Sequence, residues 1–494
     1  MIITDIRPVL AAGFPLLACI LILFSSKKPN LREFFSIACA VGAAGLIYSM
    51  AGDVHGGTVY EWTLFQATDT ISFTLRTDAA GMLFACVSST LYVIVIFYAI
   101  GYMRGHHEKN QTGFYAFFAI CICSAIGIAF SANLVTFFIF FEMLTMATWP
   151  LVFHERNEEA KFSGRKYLIY TLIPGQFFLM GIIMVSGISD TLTFQPGGFL
   201  NASAGSAGML IVLFFLLTGA GAVKAGIMPF HGWLPAAMIA PTPVSALLHA
   251  VAVVKAGAFC VIRMIGYVFG PGLLKEIGAA QILLWLAVFT IIVSSLIALR
   301  QDNLKRRLAY STVGQLSYII LGACLLTSHG FTGSLFHIVA HALMKITLFM
   351  CAGAIIVTTH KNNVSEMKGI GRQMPVTMIC FTIASLGIIG LPFIVGFTSK
   401  WNLALGALYM GQPVYIAILL TSSMLGLAYL LPITYTAFFS KNTDSEFTRL
   451  KEASPFMLIP ICITAALTII LGILPNFGLN LYDLAEIAAS AVVP

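Results

Sequence analysis

Charge is scarce in this chain. Asp, Glu, Lys and Arg make up 10% of its 494 residues, while 59% are hydrophobic; a soluble domain carries about 25% charged residues. The polar side chains cannot cover a soluble surface, which excludes a soluble enzyme. Paired cysteines are lacking too. The ten cysteines lie in apolar stretches and none forms a CxxC pair, so neither a disulfide framework nor an iron–sulfur site follows, and they read as small core residues. No Lys/Arg-rich tract is long enough for a nucleic-acid-binding arm, despite a formal net charge of +7. No dinucleotide fingerprint and no P-loop appear, so NADH or ATP binding on this chain is not expected. The N-terminal "MIITDIRPVLAAGFPLLACILILF" has no basic stretch before its apolar run, and reads as a first membrane helix, not a cleaved signal.

What is present is a series of apolar runs of about 20 residues, the length that crosses a bilayer. Fourteen are found, from 8–25 to 454–474. With the N-terminus outside, the inside connections collect nineteen of the 27 Lys and Arg residues. The outer side holds Arg7, Arg76 and Lys275, and Arg263 sits near an outer end. This asymmetry supports both the count and the orientation, with both termini outside a prokaryotic inner membrane. Residues 57–77 alternate apolar and polar in "ISFTLR" and predict a short hairpin on the outer face. In the tail, Leu481, Leu484 and Ile487 oppose Asp483 and Glu486, which predicts a short amphipathic helix on the outer surface.

Four lysines fall inside predicted spans: Lys224, Lys255, Lys345 and Lys400. Each costs roughly 2.5–3.5 kcal/mol at the bilayer centre on insertion scales, so each needs a partner and a hydrated interior. Glu142, alone among charges in the fifth span, is a candidate partner for Lys224. Burial disfavours an ammonium and a nearby carboxylate favours it, so a Lys–Glu pair of variable separation is a proton switch. His337, His341 and Lys345 recur at i, i+4, i+8 on one helix face. Metal binding there would lack a carboxylate or cysteine ligand, so a proton relay is the reading preferred over a metal site or two satisfied core histidines. His249 precedes Lys255 by six residues, off its face in a regular helix, yet both can line one water channel.

Spans seven, "LTGAGAVKAGIMPFHGWLP", and twelve, "ASLGIIGLPFIVGFTSKWNL", hold Gly and Pro inside apolar stretches beside a lysine. Backbone freed by such breaks is tolerated at depth only against protein or water, and paired broken helices mark an ion site. The chain is thus expected to be an all-α polytopic membrane protein of about fourteen helices with helices 7 and 12 broken. Its expected parts are 1–112, two inverted five-helix repeats at 113–266 and 279–438, and 454–494. Lys224 and Lys400 would be rough equivalents.

Four stretches carry a family resemblance: "KAGIMPFHGWLPAAMIAPTPVSALLHAVAVVKAGAFCVIR", "DNLKRRLAYSTVGQLSYIILG", "HIVAHALMKITLF" and "GLPFIVGFTSKW". Together they resemble the proton-conducting antiporter-like subunits, which comprise Mrp-type cation/proton antiporter subunits A and D, the L, M and N subunits of respiratory complex I, and counterparts in membrane-bound hydrogenases. The resemblance covers roughly 75–440, and the D type fits best. It implies a proton-translocation path through Glu142, Lys224, Lys255, His249, His337, His341, Lys345 and Lys400. It implies other membrane subunits as partners, protons and a candidate Na+ as cargo, and no cofactor or catalytic chemistry on this chain. An organic-solute carrier fits less well, because the ionisable groups are strung along several helices. A haem enzyme fails because His337 and His341 lie on one helix face. An inert scaffold has no reason to bear four buried lysines.

Overall fold

The computed structural model describes residues 1–68, 70–250, 252–440 and 450–493, with the side chains of 247–250 outside that description. His249, Lys441 and Arg449 therefore receive no side-chain account. The helices, in chain order, are α1 (Arg7–Phe24), α2 (Pro29–His55), α3 (Ala79–Gly105), α4 (Gln111–Phe130), α5 (Leu134–Val152), α6 (Glu158–Ile188) and α7 (Ala207–Lys224). Then come α8 (Trp233–Ala236), α9 (Thr242–Ala250), α10 (Val253–Arg263), α11 (Gly270–Ile277), α12 (Ala279–Leu299) and α13 (Leu304–Cys324). The last are α14 (Ser328–Thr359), α15 (Pro375–Ile389), α16 (Val395–Tyr409), α17 (Val414–Phe439), α18 (Pro455–Ile473) and α19 (Leu481–Val492).

Twelve of the described helices are long and apolar enough to cross a membrane, Val253–Ile277 counting as one. Two further segments stand where the sequence reading placed the remaining two of its fourteen crossings. One is α13, whose first turn holds Lys305, Arg306 and Arg307. The other is the interrupted pair α15 and α16.

Where these helices start follows from the sequence. Backbone N–H groups left open at a helix start are expensive where water is scarce. Asp78, Asn133, Asn157, Ser206, Asn303 and Thr327 each accept a hydrogen bond from the first turn they precede. These are the residue types whose side chains serve that role. The core sits on α10 and α14, whose spanning windows are wholly buried. α14 packs on α3, α9, α13, α15, α16, α18 and α19.

Three features depart from the sequence reading. The eighth crossing is itself interrupted between α9 and α10, with Ala252 at φ −95, ψ −91; no Gly or Pro marks that place. The outer hairpin, β2 (Val59–Gln66) and β3 (Ser72–Arg76), gains a third strand, because β1 (Ile2–Thr4) pairs parallel with β2. The tail helix α19 is amphipathic as expected, but it packs on α14 and α3. Leu481 and Leu484 are buried and Ile487 is exposed, so its apolar face meets protein and not an open surface.

Arg263, read as lying at an outer end, is fully buried. Its Nη1 and Nη2 donate to Asp78 Oδ2 at 2.5 Å and Oδ1 at 2.8 Å, and Nη2 also reaches Ala129 O at 3.3 Å. Asp78 Oδ1 in turn accepts from Gly81 N at 2.7 Å. One bidentate pair thus ties the start of α3 and the end of α4 to α10. Removing one partner of a buried pair costs about 3–5 kcal/mol, because the other charge stays buried. Asp78→Ala should therefore lower the thermal midpoint in detergent more than Arg263→Met, which leaves only a carboxylate that water can reach. Equal midpoints for wild type and Asp78→Ala would refute the pair's structural role.

Candidate functional site

The seventh crossing stops at Lys224 for a local reason. Gly226 adopts φ +78, a left-handed conformation that favours glycine. Gly226 N donates to Val223 O at 2.9 Å and Ile227 N donates to Ala222 O at 3.0 Å. This double bond pattern is the Schellman helix end. Val223 O also accepts from the indole of buried Trp233 at 3.0 Å. The twelfth crossing breaks at a left-handed glycine too, but there Gly390 N also donates to Leu386 O, at 3.0 Å. Gly390 has φ +95, Leu391 N donates to Leu386 O at 3.1 Å, and Pro392 follows.

Each break presents the negative end of a half-helix, and a lysine sits on or beside each. Lys224 occupies the last turn of α7 itself. Its Nζ donates to Phe141 O at 2.7 Å, lies 3.2 Å from the Phe141 ring centroid, and stands 3.8 Å from Glu142 Oε1. Neither Glu142 oxygen has a hydrogen-bond partner among the described residues. The carboxylate fits because α6 offers no side chain there: a Cβ at Gly175 would collide with it. At the second break the cation arrives from α16. Lys400 Nζ donates to Ile388 O at 2.7 Å, Ile389 O at 3.1 Å and Ser423 Oγ at 2.9 Å.

Between the breaks runs a line of polar side chains. Lys255 Nζ, on α10, is in hydrogen-bond contact with His341 Nδ1 on α14. The rings of His341 and His337 stack with centroids 6.0 Å apart. His337 Nδ1 then meets Ser399 Oγ at 2.8 Å, and the next residue is Lys400. The Tyr318 ring stacks on His337 at 5.6 Å and lies 5.2 Å from Lys400 Nζ. Lys255, His337, His341 and Lys345 are fully buried.

Not every expected member joins this line. Lys345 shares a helix with the two histidines but turns towards α13, donating to Ser311 Oγ at 2.6 Å and Leu308 O at 3.3 Å. Ser311 also accepts from Tyr429 Oη at 2.8 Å. Lys345 is therefore a side branch, not a step between His337 and Lys400. Lys224 stands apart with Phe141 and Glu142, although α10 approaches it closely: a Cβ at Gly257 would lie 2.7 Å from Lys224 Cβ. The sequence reading missed Ser399, Ser311, Tyr318, Tyr429 and Ser423. The only signal for them was a hydroxyl within an apolar helix, and most such hydroxyls return to their own helix backbone, as Thr347 does to Leu343 O at 2.8 Å.

At the basic-loop face a polar cavity of about 370 Å³ opens, lined among others by Tyr102, His106, Glu108, Glu155, Thr242 and Lys305. Thr242 starts α9, the helix that carries His249. Beside the cavity, burial holds the His154 imidazole below the usual histidine range, against the pull of Glu108 at 3.8 Å. No cluster of three or more His, Cys, Asp or Glu suited to a metal occurs among the described residues.

Comparison with known proteins places this geometry. Residues 131–426 match the family model for the transmembrane region of NADH:quinone oxidoreductases and Mrp antiporters. The chain is 31% identical over 400 residues to NADH-quinone oxidoreductase subunit N of Desulforudis audaxviator, covering 76% of this chain and 77% of that one. It is 29% identical over 464 residues to Na(+)/H(+) antiporter subunit A1 of Staphylococcus haemolyticus, covering 88% of this chain but only 56% of the relative. Two solved assemblies contain chains of similar fold. One is the archaeal membrane-bound sulfane sulfur reductase, a respiratory membrane complex (TM-score 0.88, 23% identity, 99% and 98% of the two chains). The other is the Mrp complex of Dietzia sp. DQ12-45-1b (TM-score 0.87, 20% identity, 99% and 98%).

The two glycine ends separate backbone strain from lysine placement. Alanine in a left-handed conformation costs about 1–2 kcal/mol, so Gly226→Ala and Gly390→Ala should each lower the thermal midpoint. At Gly226 an added Cβ meets nothing closer than Leu234 Cδ1 at 3.3 Å, whereas at Gly390 it meets Lys400 Cδ at 2.9 Å. Gly390→Ala should therefore lose more proton transport than Gly226→Ala at similar stability. Equal transport in the two variants would remove Lys400 from the site.

Proposed function

The chain belongs to the NADH:quinone oxidoreductase/Mrp antiporter family, and from that premise we propose that it is the proton-translocating membrane subunit of a multisubunit cation/proton antiporter. The observation that carries this reading is the line Lys255–His341–His337–Ser399–Lys400, which joins two buried lysines through groups able to accept and release protons. Titratable groups at membrane depth generally mark an ion or proton pathway. The polar cavity at the start of α9 supplies water access from the basic-loop face, and His249, expected from the sequence to belong to the path, lies outside the residues whose side chains are described. The proton leaves by Lys400 towards the opposite face, and the reverse direction uses the same groups. Glu142 biases Lys224 by changing its distance from 3.8 Å.

The matched ends of α7 and α15 support treating 113–266 and 279–438 as two inverted repeats. In each, a half-helix terminates on a left-handed glycine with a proline two or three residues on; Lys224 lies in the last turn of α7, and Lys400 reaches the carbonyl end of α15. Lys224 and Lys400 are then equivalent in place, though one comes from the half-helix and the other from the helix after it. The orientation expected from the basic loops, with both termini outside, belongs to the same proposal, as do Na+ as second cargo and a prokaryotic inner membrane as location.

A second reading is a proton-pumping membrane-arm subunit of a complex I-like or hydrogenase-like redox assembly. The match to a quinone oxidoreductase subunit N over three quarters of both chains favours it, as the antiporter relatives favour the first. Partners discriminate. Subunits that co-purify in mild detergent and are identified by mass spectrometry should be small hydrophobic antiporter subunits; iron–sulfur, flavin or nickel–iron subunits would replace the first reading by the second.

Under either reading, Lys224→Ala and Glu142→Ala should abolish coupled proton transport in vesicles, read with a pH-sensitive dye, while the subunits still co-purify. Wild-type transport in both variants would sink the proposed path.

A further inference from the structure

An apolar groove of about 740 Å³ runs between α6 and α7 on the outside of the bundle, walled by Ile169, Ile173 and Phe177 on one side and Val212, Phe215 and Leu216 on the other. Ile173, Phe177 and Val212 are exposed. Tyr170 and Phe230 line its basic-loop end. There a second, polar cavity of about 220 Å³ is lined by Lys166, Gln301, Arg306, Tyr310 and Gly232. The two spaces meet at one corner. Lys166 Nζ stands 5.9 Å from the Tyr170 ring centroid, and the absent Cβ of Gly232 leaves both uncovered, since it would lie 3.2 Å from Lys166 Nζ and 3.8 Å from Tyr170 Oη.

We propose that this compound site binds one anionic phospholipid, its phosphate between Lys166 and Arg306 and an acyl chain in the α6–α7 groove. Shape and charge point the same way. The apolar part lies along two spanning helices, and the cationic part lies at their basic-loop end. Basic pockets between membrane helices on that side bind anionic headgroups. Lys166 makes no ion pair among the described residues. Arg306 faces Glu159 at 3.7 Å, but both side chains are largely exposed, and such pairs are weak. A second membrane protein would need a broad interface, whereas the groove is one chain wide and ends on two cations.

The site has a bearing on Lys224. Gly219, Ala220 and Val223 line the groove and lead directly to Lys224; Pro174 lines it and precedes Gly175, whose missing Cβ houses Glu142. A bound acyl chain thus covers the outer side of the Glu142–Lys224 pair. Retention of the lipid is independent of the transport reading; only an effect on transport rests on it.

The full chain, with its co-purifying subunits, is placed in nanodiscs of equal parts phosphatidylglycerol and phosphatidylcholine, then extracted, and its retained lipid is measured by native mass spectrometry. Wild type should retain phosphatidylglycerol over phosphatidylcholine by about tenfold, and Lys166→Gln combined with Arg306→Gln should abolish that preference. Gly219→Leu, at a position where an added Cβ meets nothing within 4 Å, should fill the groove and reduce retention of both lipids. Lys224→Ala should keep the lipid while losing transport, so the two ideas fail separately. Equal retention of the two lipids by wild type, or an unchanged preference in the double variant, overturns the proposal; so does undiminished retention in Gly219→Leu.

Discussion

An ammonium group at membrane depth has to be solvated by the protein, and here the solvent is mostly main-chain carbonyl. Lys400 takes the two carbonyls that α15 releases where it stops. Lys224 and Lys345 take carbonyls from intact helices, using the second lone pair of an oxygen that already serves its own helix. Phe141 O accepts from Lys224 and from Thr145 Oγ1; Leu308 O accepts from Lys345 and from Thr312 Oγ1. Lys255 alone meets a histidine nitrogen. Among the described residues only Glu142 offers a carboxylate to any of the four, and it stays 3.8 Å away. The lysines are thus held by dipoles, not locked into ion pairs. A group that must exchange protons needs that arrangement, because a tight buried pair resists losing either charge.

That constraint explains why the helix breaks and the lysines coincide. A half-helix end supplies unpaired carbonyls and a negative dipole together. Both are costly in hydrocarbon unless something positive or hydrated occupies them. Gly226 and Gly390 place such ends inside the bundle; Lys400 bonds the carbonyls freed at the second, and Lys224 sits on the last turn before the first. Where the break lacks a glycine, between α9 and α10, Lys255 follows on the first turn of α10.

The sequence made the crossings, the two glycine–proline breaks and the four interior lysines legible, since each is a property of one segment. Apolar length marks a crossing, Gly followed by Pro marks an end, and a lysine inside an apolar run has no ordinary explanation. What stayed hidden depends on two segments at once. The bond between Lys255 and His341 joins α10 to α14, and no spacing announces it. The turn of Lys345 towards Ser311 defeats the inference from i, i+4, i+8, which fixes a face but not the neighbour that face meets. The Asp78–Arg263 pair was invisible because Asp78 also reads as an ordinary helix cap, the role it fills for Gly81. β1 is three residues long, below what alternation can mark.

The depth of each group within the bundle separates the parts of the path. Its middle lies on α10 and α14, sealed on every side by other helices. Lys400, at one end of that line, and the separate Glu142–Lys224 pair lie nearer the perimeter. Lys400 reaches Ser423 on α17, a helix whose exposed residues include Leu420, Met424 and Leu427. Glu142 sits behind α6 on α5, a helix that exposes Ile139 and Met146, and Lys224 ends α7, which walls the outer groove. On the proposed path, a sealed middle would keep protons from leaking, since an insulated site excludes water and wrong partners alike. Perimeter ends place the two breaks where a neighbouring subunit or a lipid can press on them. Coupling requires two arrangements of one element that an outside contact can bias, and the half-helix ends at Gly226 and Gly390 are places in this fold where a buried lysine stands on or beside a helix end near an outer surface.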